Sequence, residues 1–269
     1  DKNLKINLLG KNFINASELL PLTTYPYSNI LGSNENGYWP IFKSDRYGFN
    51  NDDQNYNKKV INLIIGDSYA QNATVNYKDS IQNLLTKGGY NSLSFGVGGN
   101  GPLLNLATFT EYSHDIKYEN LIYFFTETND LYYDISIEKK NNVLQKYLSG
   151  SFDQNLKNRK KELLLLLNNK TKQIYNSYEI NNKIEIKEIL RKFTLPNTRF
   201  ILNIINTGEV NDYYNIKIPE NKIFNMKDLK TESFESNFRI QNKVLEIIYN
   251  LSKETKHYLI YIPEKKYFI

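Results

Sequence analysis

The apolar positions of this chain fall into runs of two kinds. Short blocks rich in β-branched or aromatic residues predict strands at Val60–Ile65, Ser92–Phe95, Asn120–Thr126 and His257–Ile262, the first closed by Gly66 and the last by Pro263. Helical stretches are predicted between and after them. One lies near Ser80–Lys87 with Gly88-Gly89 as its C-cap, one runs from Pro102 to about Tyr112, and one covers Ser233–Lys253. Three strands separated by two helices imply βαβ crossovers within one parallel sheet.

Two regions depart from this alternation. Residues 1–57 are rich in Asn, Ser, Tyr and Pro, with turn clusters such as Gly32-Ser33-Asn34, and predict an irregular segment wrapped on the domain. In it, Tyr38-Trp39 before Pro40 reads as an aromatic pair pinning the arm to the core, with a sugar-stacking platform as the other reading. Residues 137–195 are Lys- and Leu-rich and predict a helical insertion of amphipathic helices with a solvated basic face. Arg199–Ile205 is too brief a run to decide between strand and buried helix, and 206–232 reads as loop. The expected organisation is a wrapping segment over 1–57 and one α/β domain over 58–269. A doubly wound sheet normally adds a further strand and helix after a segment such as His257–Ile262, so a C-terminal truncation is expected.

Composition narrows the chemistry. With 269 residues and 40% apolar content, the chain can bury one large core. Its net charge of +5, from 34 basic and 29 acidic residues, is spread along the chain, so no nucleic-acid partner is expected. The absence of cysteine excludes disulfides, thiolate metal sites and cysteine nucleophiles. His114 and His257 are the only histidines and have no metal-ligand spacing, so no metal is expected. Gly96-x-Gly98-x-x-Gly101 has the letters of a dinucleotide fingerprint, but it follows a second strand, runs into Pro102 and lacks a placed ribose-binding acid. No cofactor is expected. No apolar run is long enough to span a membrane and the start has no signal pattern, so the chain reads as soluble, with its compartment open.

Functional loops of an open α/β sheet gather at the carboxyl ends of its strands. Gly66-Asp67-Ser68 follows the first predicted strand, Gly98-Gly99-Asn100-Gly101 the second, and Glu127-Thr128-Asn129-Asp130 the third. Acyl transfer needs a nucleophile and fixed donors around the developing oxyanion. Ser68 can supply the first. The N–H groups of Gly99 and Ser68 and the carboxamide of Asn129 can supply the second.

In the order and content of these blocks the chain resembles the SGNH/GDSL hydrolase superfamily over roughly residues 36–135 and 255–265. The resemblance implies a flavodoxin-like three-layer sandwich, Ser68 as nucleophile, Gly99 and Asn129 as oxyanion donors, and Asp67 holding the turn. Asp130 and Asn100 would support the loops. Gly37-Tyr38-Trp39-Pro40, Asp45-Arg46-Tyr47-Gly48-Phe49-Asn50 and Tyr261-Ile262-Pro263-Glu264 resemble a bacterial branch that modifies surface polysaccharides. That branch implies an exported protein acting on acylated carbohydrate.

The chain departs from the pattern in two places. Glu127 stands where the third block usually has Gly, and the Asp-x-x-His block that supplies the base is absent. His114 and His257 are both expected at the amino-end edge of the sheet, opposite Ser68. The sequence therefore implies a serine-dependent ester hydrolase or O-acyltransferase whose histidine lies beyond Ile269 and without which residues 1–269 are expected to be inactive. The alternative is a catalytically inactive carbohydrate-binding or assembly protein on the same scaffold.

Overall fold

The computed structural model describes residues 4–35, 37–181 and 231–263. Its centre is an all-parallel sheet of four strands, β4 (Asn62–Ile65), β5 (Ser92–Ser94), β6 (Asn120–Thr126) and β7 (Lys256–Ile262), in the order β5-β4-β6-β7. This is the strand order of a flavodoxin-like α/β fold. Helices α1 (Ser68–Gln71) and α2 (Ile81–Lys87) connect β4 to β5, and α3 (Pro102–Ser113) connects β5 to β6. After β6 come a π-helical turn at Asn129–Tyr133, α4 (Asp134–Glu138), α5 (Asn142–Tyr147), α6 (Lys160–Asn181) and α7 (Thr231–Leu251).

Each strand forms where the sequence predicts it; β4 and β5 are buried on both faces, as a parallel sheet requires, whereas β7, at the edge of the sheet, is exposed along most of its length. Leu63, Ile65, Leu93, Leu121 and Tyr123 are buried together with Leu103, Leu104, Leu106, Ala107 and Phe109 of α3 and Val244, Ile247 and Ile248 of α7. Helix α3 is buried on every side except at Thr110, which its run of apolar and small residues permits. Burying one such leucine contributes about 1.5–3 kcal/mol, so α3 is a principal source of stability for the sheet.

The N-terminal segment is more regular than its composition suggests. Strands β1 (Leu4–Ile6), β2 (Asn29–Leu31) and β3 (Ile41–Lys43) form a separate sheet, β1 parallel and β3 antiparallel to β2. Tyr38 and Trp39 do not pin it. They are 40% and 60% exposed, and Ile30 and Phe42 are the buried anchors. Asp45 organises the following turn by accepting from the N–H groups of Tyr47, Gly48 and Phe49, from Asn51 Nδ2 and from the Tyr56 hydroxyl. Asn51 then bonds both ways with the backbone of Ser94, which fastens this turn to β5.

The chain divides into two compact units, 1–168 with 232–269, and 169–231. Helix α5, within the stretch read as an insertion, and α4, which runs into its start, belong to the first, where Val143, Leu144 and Tyr147 enter the core. The predicted element at Arg199–Ile205 and the loop after it lie outside the described residues up to residue 230.

Candidate functional site

Strands β5 and β6 flank β4 on opposite sides, so the chain switches direction outside the carboxyl ends of β4 and β6. A ligand crevice forms at such a point. The parallel register, with Ile65 opposite Tyr123 and Ile64 opposite Ser94, brings the loops that follow these strands to one rim.

The first loop is fixed by two residues. Gly66 has φ +145, and a β-carbon there would press on the Cβ and carbonyl oxygen of Phe124, so the sharp exit from β4 requires glycine. Asp67 is fully buried, and its Oδ1 accepts the N–H of Tyr69 at 3.0 Å, capping α1. Ser68 opens α1 and is exposed. Among the described residues, neither its hydroxyl nor its N–H has a protein partner.

The second loop is pressed onto the first. Gly96 lies against the backbone of Ala70 and Gln71 with no space for a β-carbon, Val97 N–H donates to Gly66 O at 3.1 Å, and Gly98 N–H donates to Gln71 Oε1 at 3.0 Å. Gly99 follows with φ +71, and among the described residues its N–H has no protein partner. Asn100 is buried. Its N–H donates to Val97 O, its Nδ2 donates to Thr108 Oγ1 at 3.5 Å, and its Oδ1 has no partner among the described residues.

The third loop begins with the π-helical turn, an irregularity that recurs at functional sites. Asn129 Nδ2 donates to Asp67 Oδ2 at 2.9 Å, tying the first loop to the third and leaving its second amide hydrogen available. Asp130 Oδ2 accepts Thr126 N–H at 2.8 Å. Burial holds the Asp130 carboxyl well above the usual range, with the charges of Asp67, Glu138 and Asp134 adding to the effect. Glu127, the departure from the pattern, accepts the Tyr261 hydroxyl at 2.8 Å and so links the loop to β7.

Sequence reasoning missed three residues. The side chain of Lys11, from a 3₁₀ turn at Gly10–Phe13, lies across Gly99, where its Nζ, Cε and Cδ would be the first atoms a β-carbon met. Asp134 packs against Gly101, and burial raises its carboxyl to about 6 while Lys11 lowers it and Asp67 raises it. Glu138 accepts the N–H groups of Gly101, Leu103 and Leu104, closing the N-terminus of α3, and burial raises it to about 8 against those bonds. The spacing of Asp130, Asp134 and Glu138, four apart, is the signal that would have placed them on one helical face.

Both histidines stand at the other end of the sheet. His257 pairs in register with Leu121 and contacts Ser252, and the rise from Leu121 to Thr126 is roughly 17 Å. His114 ends α3, exposed and paired with Asp115 at 2.5 Å. Among the described residues no cluster of acidic or histidine side chains is arranged for a metal ion, and no helix is long and apolar enough to cross a membrane. No protein-family profile, curated protein or solved structure matches this chain.

Proposed function

We propose that the chain is a serine-dependent ester hydrolase or O-acyltransferase acting on an acylated carbohydrate. The observation that carries this reading is an exposed serine whose hydroxyl and N–H groups are unengaged among the described residues, on a rim that also presents the Gly99 N–H, equally unengaged among them, and the Asp67-clamped carboxamide of Asn129. Donors held by the fold before substrate arrives are what an oxyanion site requires.

Ser68 Oγ attacks the acyl carbonyl carbon. Charge develops on the carbonyl oxygen and is met by the Ser68 and Gly99 N–H groups and the remaining Asn129 N–H. The Ser68 hydroxyl proton passes through solvent to the departing alkoxide as the ester C–O bond breaks, and water or a sugar hydroxyl then takes the acyl group from Ser68, its own proton returning to Ser68 Oγ. Asp67 positions Ser68 and Asn129; its two oxygens are committed to Tyr69 and Asn129, so it is not the base. The proton acceptor is neither histidine of this chain.

The full chain is expected to be labelled at Ser68 by a fluorophosphonate probe and Ser68→Ala to lose the label, while turnover of p-nitrophenyl acetate, with both histidines at the other end of the sheet, is expected to be slow and dependent on Ser68. The placement of both histidines away from Ser68 favours a second reading, a saccharide-binding protein that does not turn over. It wins if Ser68 is unreactive while an acetylated oligosaccharide binds by calorimetry and Gly99→Val abolishes that binding.

A further inference from the structure

Lys11 reaches the rim from the N-terminal arm on a fixed tether. The turn that carries it is closed by Leu9 N–H donating to Asn12 Oδ1 at 2.7 Å and Asn12 N–H donating to Leu9 O at 2.9 Å. Gly10 is buried against Leu104 and Asn100, so the backbone beside Lys11 is seated on the second loop itself. From there the side chain covers Gly99, while the Gly99 N–H has no acceptor among the described residues. Lys11 makes no ion pair among the described residues. Its charge is felt at the Asp134 carboxyl, which it lowers, with no ion pair between the two.

A cation with no ion pair and an N–H with no acceptor at one glycine are two halves of an anion site. We propose that Lys11 and the N–H of Gly99 bind a small carboxylate, and that this ligand is the released acyl product of the reaction read above. The identity of the ligand rests on that reading; the carboxylate chemistry rests on the two donors. Asp134 competes with the ligand for the ammonium and therefore limits its affinity. Four-residue α1 plays no part in the site.

The sequence supplies a built-in control. Its two Gly-Gly pairs are Gly88-Gly89, on an exposed turn after α2, and Gly98-Gly99. Carbonyl-¹³C, amide-¹⁵N glycine labelling of the full chain therefore gives two carbonyl-correlated amide signals, Gly89 and Gly99. Titration with sodium acetate, replacing sodium chloride at constant ionic strength, is expected to shift Gly99 saturably and leave Gly89 in place.

Lys11→Met should raise the acetate Kd by roughly tenfold or more, the loss expected for one charge-assisted donor. Lys11→Arg should retain most of the affinity and Asp134→Asn should tighten it, a reversal of sign that a merely structural role for Lys11 does not produce. A Gly99 signal that does not respond to acetate overturns the proposal, as does a Lys11→Met protein that titrates like the parent. Should Lys11→Met fail to fold, an Asp134→Asn protein with unchanged or weaker affinity overturns it instead. Labelling of Ser68 decides the acyl-transfer reading separately: acetate binding by a protein whose Ser68 does not react with a fluorophosphonate keeps the carboxylate site and removes that reading.

Discussion

At the amino ends of the central strands the polar side chains are joined in a row. Asn62 Nδ2 donates to Ser92 Oγ and Asn120 Nδ2 donates to Asn62 Oδ1, both at 2.9 Å, while His257 is held by Ser252 and Lys59 by Glu119. At the carboxyl ends the same sheet leaves groups open. The N–H groups of Ser68 and Gly99 lack acceptors, and Asn100 Oδ1, Thr126 Oγ1 and Asp130 Oδ1 are buried without partners among the described residues. An unsatisfied buried polar atom costs about 1–3 kcal/mol. The two ends differ in degree: among the described residues the amino end leaves one buried side-chain atom over, Asn91 Oδ1, whereas the carboxyl end leaves three and also keeps the backbone donors of Ser68 and Gly99 unspent where a substrate can use them.

The largest expected effect comes from closing the space between the first two loops. In Gly96→Val the new β-carbon overlaps the backbone of Ala70 and Gln71, which cannot swing aside as a side chain can. Urea denaturation should show a loss of about 3 kcal/mol or more, with loss of Ser68 labelling. Gly89→Ala at the other end has φ +92 but open space, so it should cost only about 1 kcal/mol and leave labelling intact. Equal costs for the two would erase the contrast.

Asp67→Ala removes the cap on α1 and strands the carboxamide of Asn129. The two losses together should cost about 2 kcal/mol in urea. Labelling of Ser68 should fall further than this destabilisation explains, because the clamp between the first and third loops goes with it. A protein that loses stability yet labels at the parental rate would show that the clamp only supports the fold.

A smaller effect separates the ends by pH. Burial raises the carboxyls of Asp134 to about 6 and Glu138 to about 8, and holds Asp130 well above the usual range. Asp45, in the N-terminal turn, is likewise raised to about 6. Between the ordinary carboxylate range near pH 4 and these values, the folded chain binds more protons than the unfolded chain. Stability from these groups is therefore complete below about pH 4 and is lost as pH rises through 6 and then 8. The urea midpoint should be lower at pH 8.5 than at pH 5. Asp130→Asn keeps an acceptor for Thr126 N–H and should flatten that decline; a decline of unchanged slope would remove the rim carboxyls as its source.

The strands and the helices α2, α3 and α7 were legible in the sequence because each is coded locally, by a short apolar run or a helical period with a glycine or proline at its edge. That Ser68, Gly99 and Asn129 follow the carboxyl ends of neighbouring strands was legible because they sit at fixed offsets after such runs. Lys11 was not, since nothing between residues 10 and 99 announces that Gly10 packs on Leu104 and Asn100. The small N-terminal sheet was missed for the same reason: its parallel pair joins Leu4–Ile6 to Asn29–Leu31 across a long loop, with three-residue strands too short to show a period. Tyr38 and Trp39 misled because aromatic residues before a proline suggest burial, whereas the register of β2 and β3 buries Ile30 and Phe42.

The smallest effects belong to the histidines, and they test the comparison most directly. His257 lies at the start of β7 and contacts the hydroxyl and carbonyl of Ser252, so His257→Ala should cost up to about 1 kcal/mol. His114→Ala breaks an exposed pair with Asp115, which retains Lys157 at 2.8 Å, and should cost less than about 0.5 kcal/mol. Neither change reaches the rim, so the rate of Ser68 labelling should stay at the parental value in both. If either variant slowed labelling without lowering the urea midpoint, a histidine would be acting on Ser68 across the sheet. The division between a paired amino end and an open carboxyl rim would then be the wrong description of the molecule.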